Sequence, residues 1–291
     1  MRDSYFAETE LILSPEGRIY HLDLLPEDIA DTIILVGDPG RVSQITQQFE
    51  QVEFRRQHRE FITHTGYFKK KHLTVISTGI GTDNMEIVCQ ELDALASIDL
   101  KTRLLRPQPR KLKLIRLGTC GGIQPEHDPG TLLVSAVALG LDGLSSFYQS
   151  TSCLDMECAL DLKQQLQCPA NWPTPYAVRA DSMLLSKVQS WPQGITLTAP
   201  GFYAPQGRQL RLSLSHESFL NLLPAARHKG LSIVNFEMET SVLYFLGSAL
   251  GHQPLSICVV VGNRYTKTFS KNVMSDTKHL IDLSLEMILG L

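Results

Sequence analysis

The amino-acid sequence predicts an α/β fold with a largely parallel or mixed β-sheet, and three observations lead to this prediction. Short apolar runs rich in β-branched residues recur along the chain, each bounded by glycine or a polar turn. The runs are apolar throughout, which is typical of strands covered on both faces. Between them lie segments whose apolar residues have helical spacing, and such strand–helix alternation indicates an α/β domain.

The predicted strands begin with 32–36, which leads into Gly37, and 73–78, which leads into Gly79. The further predicted strands are 114–117, 131–137, 195–198, 232–235 and 255–261. The predicted helices are 83–96, 155–167, 182–190, 239–250 and 275–289. The first of these helices is expected to begin with a capping box, because Asp83 precedes Glu86 at the required spacing.

The whole chain, 1–291, is predicted to form a single domain, because no segment has the composition of a linker. Residues 100–113 carry six basic residues around two prolines and show no strong periodicity. We interpret them as a surface insertion that joins a helix to the next strand. A solvated loop is favoured over an RNA-binding segment, because the stretch contains no aromatic residue.

Composition and charge exclude several classes of function. The formal net charge of -3 gives no field that would attract nucleic acid or an anionic membrane. Six cysteines are scattered without a CxxC pair, which predicts reduced thiols, and no His or Cys pair has the spacing of zinc ligands. Met1 to Ser4 carry two charges and no apolar run follows, so neither a signal peptide nor a membrane span is expected. A cytoplasmic protein is therefore predicted.

The segment 37–41 reads GDPGR and follows a predicted strand. Glycine after a strand lets backbone N–H groups approach an anion, and the following helix N-terminus adds partial positive charge. Arg41 can supply a bidentate guanidinium. An ordinary strand-to-helix turn is an equally good explanation of this motif alone, because Asp-Pro-Gly is common turn chemistry.

Two further glycine-rich turns follow predicted strands. Residues 78–84 begin like a dinucleotide-binding fingerprint, but Asn84 stands where the third glycine belongs, so a Rossmann site is disfavoured. The other turn follows Arg116, which lies inside an otherwise apolar strand. An unpaired guanidinium there is costly to desolvate, so Arg116 needs an anionic partner, either a carboxylate or a ligand. Thr119 belongs to this second turn.

Two other motifs are weaker by themselves. Glu237 and Glu239 flank Met238 at a strand-to-helix junction, which suits recognition of sugar hydroxyls but equally suits an acidic first helical turn. Phe202 lies near Gln206 and Arg208, a set that can stack on a flat ring and bond its edge. An ordinary loop is the alternative for that segment.

Taken together and in this order, the motifs resemble the nucleoside phosphorylase superfamily, most closely its uridine phosphorylase branch. The resemblance runs from about residue 20 to the C-terminus, which leaves 1–19 as an N-terminal extension. It implies a three-layer αβα sandwich around a central mixed sheet. It also implies a homo-oligomer whose minimal active unit is a dimer, and some members assemble such dimers into hexamers.

The resemblance implies a role for each matching residue. Inorganic phosphate, a cosubstrate, would be bound by Gly37, Arg41, Arg116 and Thr119, with Arg59 reaching the phosphate of the neighbouring subunit. No cofactor is implied. No metal is assigned either. Some bacterial members bind a potassium ion between subunits; Glu60 and Ile80 match their pattern, but Asn84 replaces a serine that helps to bind the ion, so both outcomes stay open.

The resemblance likewise places the nucleoside. Glu237, Met238 and Glu239 would hold the ribose, and His21 would cross the interface to its 5′-hydroxyl. Phe202 would stack on the base while Gln206 and Arg208 read its edge. Arg208, Glu239 and Arg116 would be the catalytic set.

The implied activity is reversible phosphorolysis of uridine, with deoxyuridine and thymidine as further candidate substrates. Purine-cleaving members usually carry an Asp after the late strand, whereas the stretch ending in Asn263 and Arg264 has no acid. A purine or broad-specificity phosphorylase, a nucleoside hydrolase and a non-catalytic nucleoside-binding protein remain alternatives. Hydrolases of this superfamily lack the full arginine set, and a binding protein would have lost ribose or phosphate residues.

Overall fold

The computed structural model describes residues 5–149 and 151–291. The helices in these ranges are α1 (Pro39–Thr46), α2 (Thr82–Ser97), α3 (Met156–Gln165), α4 (Ser182–Ser186), α5 (Phe219–Leu222), α6 (Thr240–Ala249) and α7 (Val273–Leu289). The strands are β1 (Thr32–Val36), β2 (Gln51–His58), β3 (Phe61–Phe68), β4 (Lys71–Ser77), β5 (Ile98–Asp99), β6 (Leu104–Leu105), β7 (Lys113–Gly122), β8 (Leu132–Gly140), β9 (Tyr176–Arg179), β10 (Gln193–Thr198), β11 (Arg227–His228), β12 (Leu231–Glu237), β13 (Gln253–Asn263) and β14 (Thr268–Phe269).

One large mixed sheet organises the protein. Its main path has the order β11-β12-β10-β8-β13-β7-β1-β4-β3-β2, with β9 added beside β8 and β14 beside β13. Strands β4, β1, β7 and β13 are parallel, and so are β8, β10 and β12, whereas β13 and β8 are antiparallel. The predicted α/β fold with a central mixed sheet is therefore confirmed.

Helices cover both faces of this sheet. Every residue of β1 is buried, as expected for a strand covered on both sides. Helices α2 and α6 pack against each other, and α7 contacts β7 and β13. The residue that follows the C-cap of α1, Gln48, donates from Nε2 to Asp282 Oδ1 of α7 at 2.8 Å, so α1 and α7 lie side by side.

The sheet closes on itself beyond β7. Strand β12 pairs with β10 and also, antiparallel, with β7, where Asn235 is opposite Gly122 and Phe236 is opposite Gly121. Strands β7, β13, β8, β10 and β12 thus form a ring. The pairing brings the carboxyl ends of β7 and β12 together, and ligands of α/β sheets bind at such ends.

The seven predicted strands and five predicted helices are all present; β1 has its predicted bounds and the boundaries of the others differ. The predicted glycine-rich turn after Arg116 is wrong, because β7 continues to Gly122 and Thr119 lies within the strand, where pairing with β13 extends the ladder. Helix α4 ends at Ser186, earlier than predicted.

The predicted capping box of α2 is wrong. The N-cap residue is Gly81, whose φ of 99° is a conformation that glycine adopts easily and Asp does not. The helix therefore begins at Thr82, and Asp83 lies in its first turn instead of at the N-cap.

The basic segment 100–113 connects α2 to β7 along the surface. Arg103 Nη1 donates to Leu11 O at 2.7 Å, and Phe6 N donates to Arg103 O at 3.0 Å. Arg110 donates from Nη2 to Ile29 O at 2.8 Å. The arginines of this segment therefore hold down the backbone near the N-terminus. Met1 to Ser4, to which the prediction about a signal peptide applies, lie outside the described residues.

All six cysteines are free, as predicted, and four of them are buried. Within the described part of the chain, no helix has both the length and the apolar character required to cross a bilayer.

Candidate active site

Two glycine turns meet where β1 and β4 end. Thr78 N donates to Val36 O at 2.7 Å, which holds the two turns side by side. A Cβ on Gly37 would lie only 3.3 Å from Gly79 O, and Gly79 itself has φ +69°. Close approach and a positive φ thus explain both glycines. Asp38 accepts from Gly40 N at 2.8 Å and caps α1, so the turn also has the ordinary helix-starting role.

Arg41 lies in the first turn of α1 and is only 8% exposed. Its Nη1 donates to Leu117 O at 3.0 Å, while its Nε has no hydrogen-bond partner. Among residues 5–149 and 151–291, no carboxylate lies within ion-pairing distance of this guanidinium. Burial lowers the pKa of Arg41, and the charge of Arg116 lowers it further, against the opposing effect of Asp38. Among the described residues, this buried cation therefore has a backbone carbonyl as its hydrogen-bond acceptor and no carboxylate partner.

Arg116, on β7, is 4% exposed and has carboxylate partners. Its Nη2 donates to Glu239, and its Nη1 lies 3.3 Å from Glu237 Oε2. Burial opposes its charge, yet Glu239, Cys258 and Glu237 together raise the pKa of Arg116 above its ordinary value. The anionic partner required by the sequence is therefore present in the protein, although Arg116 Nε remains without one.

Glu237 and Glu239, the two carboxylates predicted to bind ribose, have different local roles. Glu237 Oε2 accepts from the backbone N–H groups of Glu239 and Thr240, each at 2.9 Å, and Oε1 accepts from Thr198 Oγ1 at 2.5 Å. Glu239 is the N-cap residue of α6 and Thr240 is its first residue, so Glu237 accepts from the amides at the helix start and helps to cap it. The alternative interpretation of this motif, an acidic start to a helix, is therefore partly correct for Glu237.

Glu239 instead links two parts of the candidate site. Its Oε1 accepts from Gly81 N at 2.8 Å, and its Oε2 accepts from Arg116. Burial raises the pKa of Glu239 above its ordinary value even though Arg116 opposes the shift. Met238, between the two carboxylates, is half-buried, and so is Thr119 on β7.

The segment after β10 gathers the predicted base-reading residues. Arg208 Nη1 donates to Phe202 O at 2.5 Å and to Gln206 Oε1 at 2.7 Å. Its Cζ lies 3.8 Å from the centroid of the Phe202 ring, so the guanidinium stacks on one face of that ring. Burial, together with the charge of Arg264, lowers the pKa of Arg208 to about 10.

Arg264 is a further cation of this group, and sequence reasoning did not include it among the site residues. Its Nη1 donates to Gln206 O at 3.0 Å, and its own N–H donates to Gly122 O at 2.8 Å. These two bonds attach the loop that contains Phe202, Gln206 and Arg208, here called the base-reading loop after its predicted role, to the end of β7. Its position directly after Asn263, in a stretch already noted for lacking an acid, was the available signal.

His21 and Arg59, both predicted to act across a subunit interface, contact other residues of this chain. His21 Nδ1 lies 2.7 Å from Glu91 Oε1, and its carbonyl oxygen lies 2.9 Å from His58 Nδ1. Arg59 is exposed in the turn between β2 and β3, with its guanidinium 5.6 Å from the ring centroid of Tyr20. Within the described residues, no hydrogen bond joins either side chain to Arg41 or Arg116.

One cluster of metal-ligating residue types lies elsewhere, and sequence spacing did not indicate it. Ligand atoms of Asp155, Glu157 and His228 lie within 4.8 Å of one another. Each of these side chains already has a partner, because Asp155 bonds to Arg179, Glu157 to Lys229 and His228 to Asp161. These contacts explain why the three side chains lie close together.

A mixed sheet covered by helices, with glycine turns beside the buried Arg41 and Arg116, is the arrangement expected of the nucleoside phosphorylase class. The chain belongs to the phosphorylase superfamily, whose family model matches residues 31–288. The resemblance seen in the sequence is thereby confirmed.

Individual proteins similar to this chain belong to the same superfamily. The chain is 31% identical to a uridine phosphorylase of Thermococcus kodakarensis, over 91% of this chain and 85% of that protein. It is 29% identical to the uridine phosphorylase of Haemophilus influenzae, over 84% and 86% of the two chains. A solved Trypanosoma brucei nucleoside phosphorylase, described as showing uridine phosphorylase activity, superposes with a TM-score of 0.85 at 28% identity and covers 97% of this chain and 100% of its own.

Proposed function

We propose that the protein is a uridine phosphorylase that cleaves uridine reversibly to uracil and ribose 1-phosphate, with deoxyuridine and thymidine as further substrates. We propose a cytoplasmic role in pyrimidine salvage. Inorganic phosphate is the cosubstrate, and no cofactor takes part. The names of the similar proteins from Thermococcus kodakarensis and Haemophilus influenzae support this choice.

The observation that carries the proposal is the buried guanidinium of Arg41, which has no carboxylate partner among the described residues. Arg116 Nε, one strand away, is likewise buried without a partner. Two unsatisfied guanidinium N–H donors beside the Gly37 turn suit an oxyanion. We propose that phosphate binds there, with Thr119 as a further donor.

The nucleoside then lies between this anion site and the base-reading loop. Glu239 accepts hydrogen bonds from the ribose hydroxyls, Glu237 holds the start of α6 in place, and Met238 contacts the sugar face. Phe202 stacks on the base once Arg208 leaves its ring, and Gln206 reads the base edge. The side chains of Arg59 and His21 complete the phosphate and ribose sites of a neighbouring subunit in a dimer or hexamer, as the resemblance implies.

The chemistry follows from charge. Cleavage of the N-glycosidic bond develops positive charge on the sugar and negative charge on the departing base. Phosphate held by Arg41 and Arg116 stabilises the first and is oriented to attack the anomeric carbon. Arg208 stabilises the second, as preorganised donors stabilise an oxyanion. The C–N bond electrons leave with the base while a phosphate oxygen forms the new C–O bond.

The test is to incubate the protein with uridine and measure uracil release with and without phosphate. Phosphate-dependent release, with ribose 1-phosphate formed in equal amount, is expected. Release that ignores phosphate would indicate a hydrolase, and release from inosine but not uridine would indicate a purine phosphorylase. Binding of nucleoside without cleavage would indicate a binding protein.

A further inference from the structure

A buried thiol lies beside Arg116 and has no role in the reaction described above. Cys258 is on β13, opposite Gly118 of β7, and Cys120 lies two residues further along β7, opposite Val260. Both cysteines are buried. They line the inner side of the strand pair from which Arg116 projects.

Cys258 contacts the guanidinium directly. Arg116 Nη1 lies 3.2 Å from Cys258 Sγ, within hydrogen-bonding distance of sulfur. A Cβ on Gly118 would lie 2.2 Å from Arg116 Nη1 and 2.9 Å from Cys258 Sγ. The guanidinium and the thiol therefore occupy the space that Gly118 leaves open. Any larger residue at position 118 would displace one or both of them.

The other contacts of Arg116 leave one nitrogen free. Nη2 donates to Glu239. Nη1 lies 3.2 Å from Cys258 Sγ, 3.3 Å from Glu237 Oε2 and 3.5 Å from Ser256 Oγ, so the thiol and the Glu237 carboxylate share this nitrogen. Only Nε has no partner. Fixing both terminal nitrogens fixes the direction of the Nε–H bond, because a guanidinium is planar.

The environment of the thiol suits an acceptor. The neighbouring Cys120 thiol and the charge of Arg116 lower the pKa of Cys258 below its ordinary value, and these effects outweigh burial. Burial raises the pKa of Cys120 well above its ordinary value. The observed contact is the one in which Arg116 Nη1 donates to Cys258 Sγ.

We propose that Cys258 is a positioning residue for Arg116. Its sulfur accepts a hydrogen bond from Nη1 and holds the guanidinium so that Nε–H remains directed at the phosphate. This inference rests on the proposed function, since it assigns Arg116 to the phosphate site. A cysteine that only filled space would be replaced without loss by any apolar side chain of similar volume.

The experiment compares three variants in phosphorolysis assays. Cys258→Val removes the acceptor and slightly enlarges the side chain, whereas Cys258→Ser keeps an acceptor. Cys158→Val, which makes the same change of volume, is the matched control, because Cys158 is a fully buried thiol on α3 and has no contact with Arg116. Loss of a hydrogen bond to a charged group should lower kcat/KM for phosphate about tenfold or more in Cys258→Val. Cys258→Ser should recover most of that loss, and Cys158→Val should match the wild type.

A second measurement separates positioning from folding. Phosphate raises the Tm of a protein that binds it, and this shift should be smaller in Cys258→Val than in Cys158→Val at equal phosphate. Equal kinetics and equal Tm shifts for these two variants, in an active wild type, would overturn the positioning role alone. A wild type that cleaves no nucleoside in the presence of phosphate would overturn the proposed function and this inference together.

Discussion

The guanidinium of Arg116 donates to the carboxylate of Glu239, so the side chain proposed to bind phosphate is joined directly to the one proposed to bind ribose. Arg41, by contrast, has no such carboxylate among the described residues. The two cations therefore differ in what they need. Arg116 has carboxylate partners within the protein, whereas the proposed phosphate would supply the only counter-charge in contact with Arg41 among the described residues.

Arg41→Met separates binding from stability. Removing one preorganised donor of this kind costs on the order of 100-fold in rate, so kcat/KM for phosphate should fall by at least that factor. The free energy of unfolding should not decrease, because a buried, unpaired charge is replaced by an apolar side chain of similar length. Steady-state kinetics and urea unfolding measure the two effects.

The matched control is Arg55→Met, since Arg55 is an exposed arginine on β2. That variant should retain both activity and stability. A large loss of stability in Arg41→Met, comparable to its loss of activity, would mean that Arg41 supports the fold and would remove the main argument for phosphate.

Glu239 should set the acidic limit of activity. Burial raises its pKa above the ordinary 4.5, against the effect of Arg116. Protonation removes the charge of this carboxylate, weakening its hydrogen bonds to the ribose hydroxyls and its ion pair with Arg116, so activity should fall as the pH decreases through this raised pKa. The acidic limb in the pH profile of kcat/KM for uridine should therefore have its midpoint above pH 4.5.

Glu239→Gln checks this assignment. The amide cannot ionise, so the residual activity of this variant should lack that acidic limb, and losing the charge that pairs with buried Arg116 should lower the free energy of unfolding by about 3 kcal/mol. An acidic limb that persists unchanged in Glu239→Gln would belong to another group.

Arg208 should set the alkaline limit. Burial and Arg264 lower the pKa of Arg208 to about 10. Its protonated form stabilises the departing base, so kcat/KM for uridine should decline as the pH rises through about 10. Arg208→Ala should reduce uridine cleavage by about 100-fold at neutral pH with an unchanged Tm, because the side chain is partly exposed. Retained kcat/KM in this variant would contradict its role in base recognition.

Parts of this arrangement could be predicted from sequence and parts could not. Runs such as 32–36 are apolar throughout, so the core strands were evident. The hairpin of β2 and β3 was not, because β2 is largely exposed and its residues, such as Arg55 and Arg56, give no apolar periodicity. The need of Arg116 for an anion followed from its burial, but that Glu239 supplies it depends on a contact across 123 residues.

Subtler local roles were also hidden. The use of Glu237 as a cap for α6 depends on Thr198, 39 residues earlier, and on the bend that follows β12. The contact of Cys258 with Arg116 depends on the register of β13 against β7. Neither register nor side-chain direction follows from composition, so these residues looked like ordinary core positions.

Mixing two inactive variants should restore activity if the site is shared between subunits. Arg59→Ala lacks the proposed phosphate contact to its neighbour, and Arg116→Met lacks the contact within its own site. After subunit exchange, half of the dimers are mixed and each has one complete site, so about a quarter of wild-type activity is expected. Each variant treated alone is the control. No recovery, despite mixed dimers seen by native mass spectrometry, would show that Arg59 acts within its own chain or not at all.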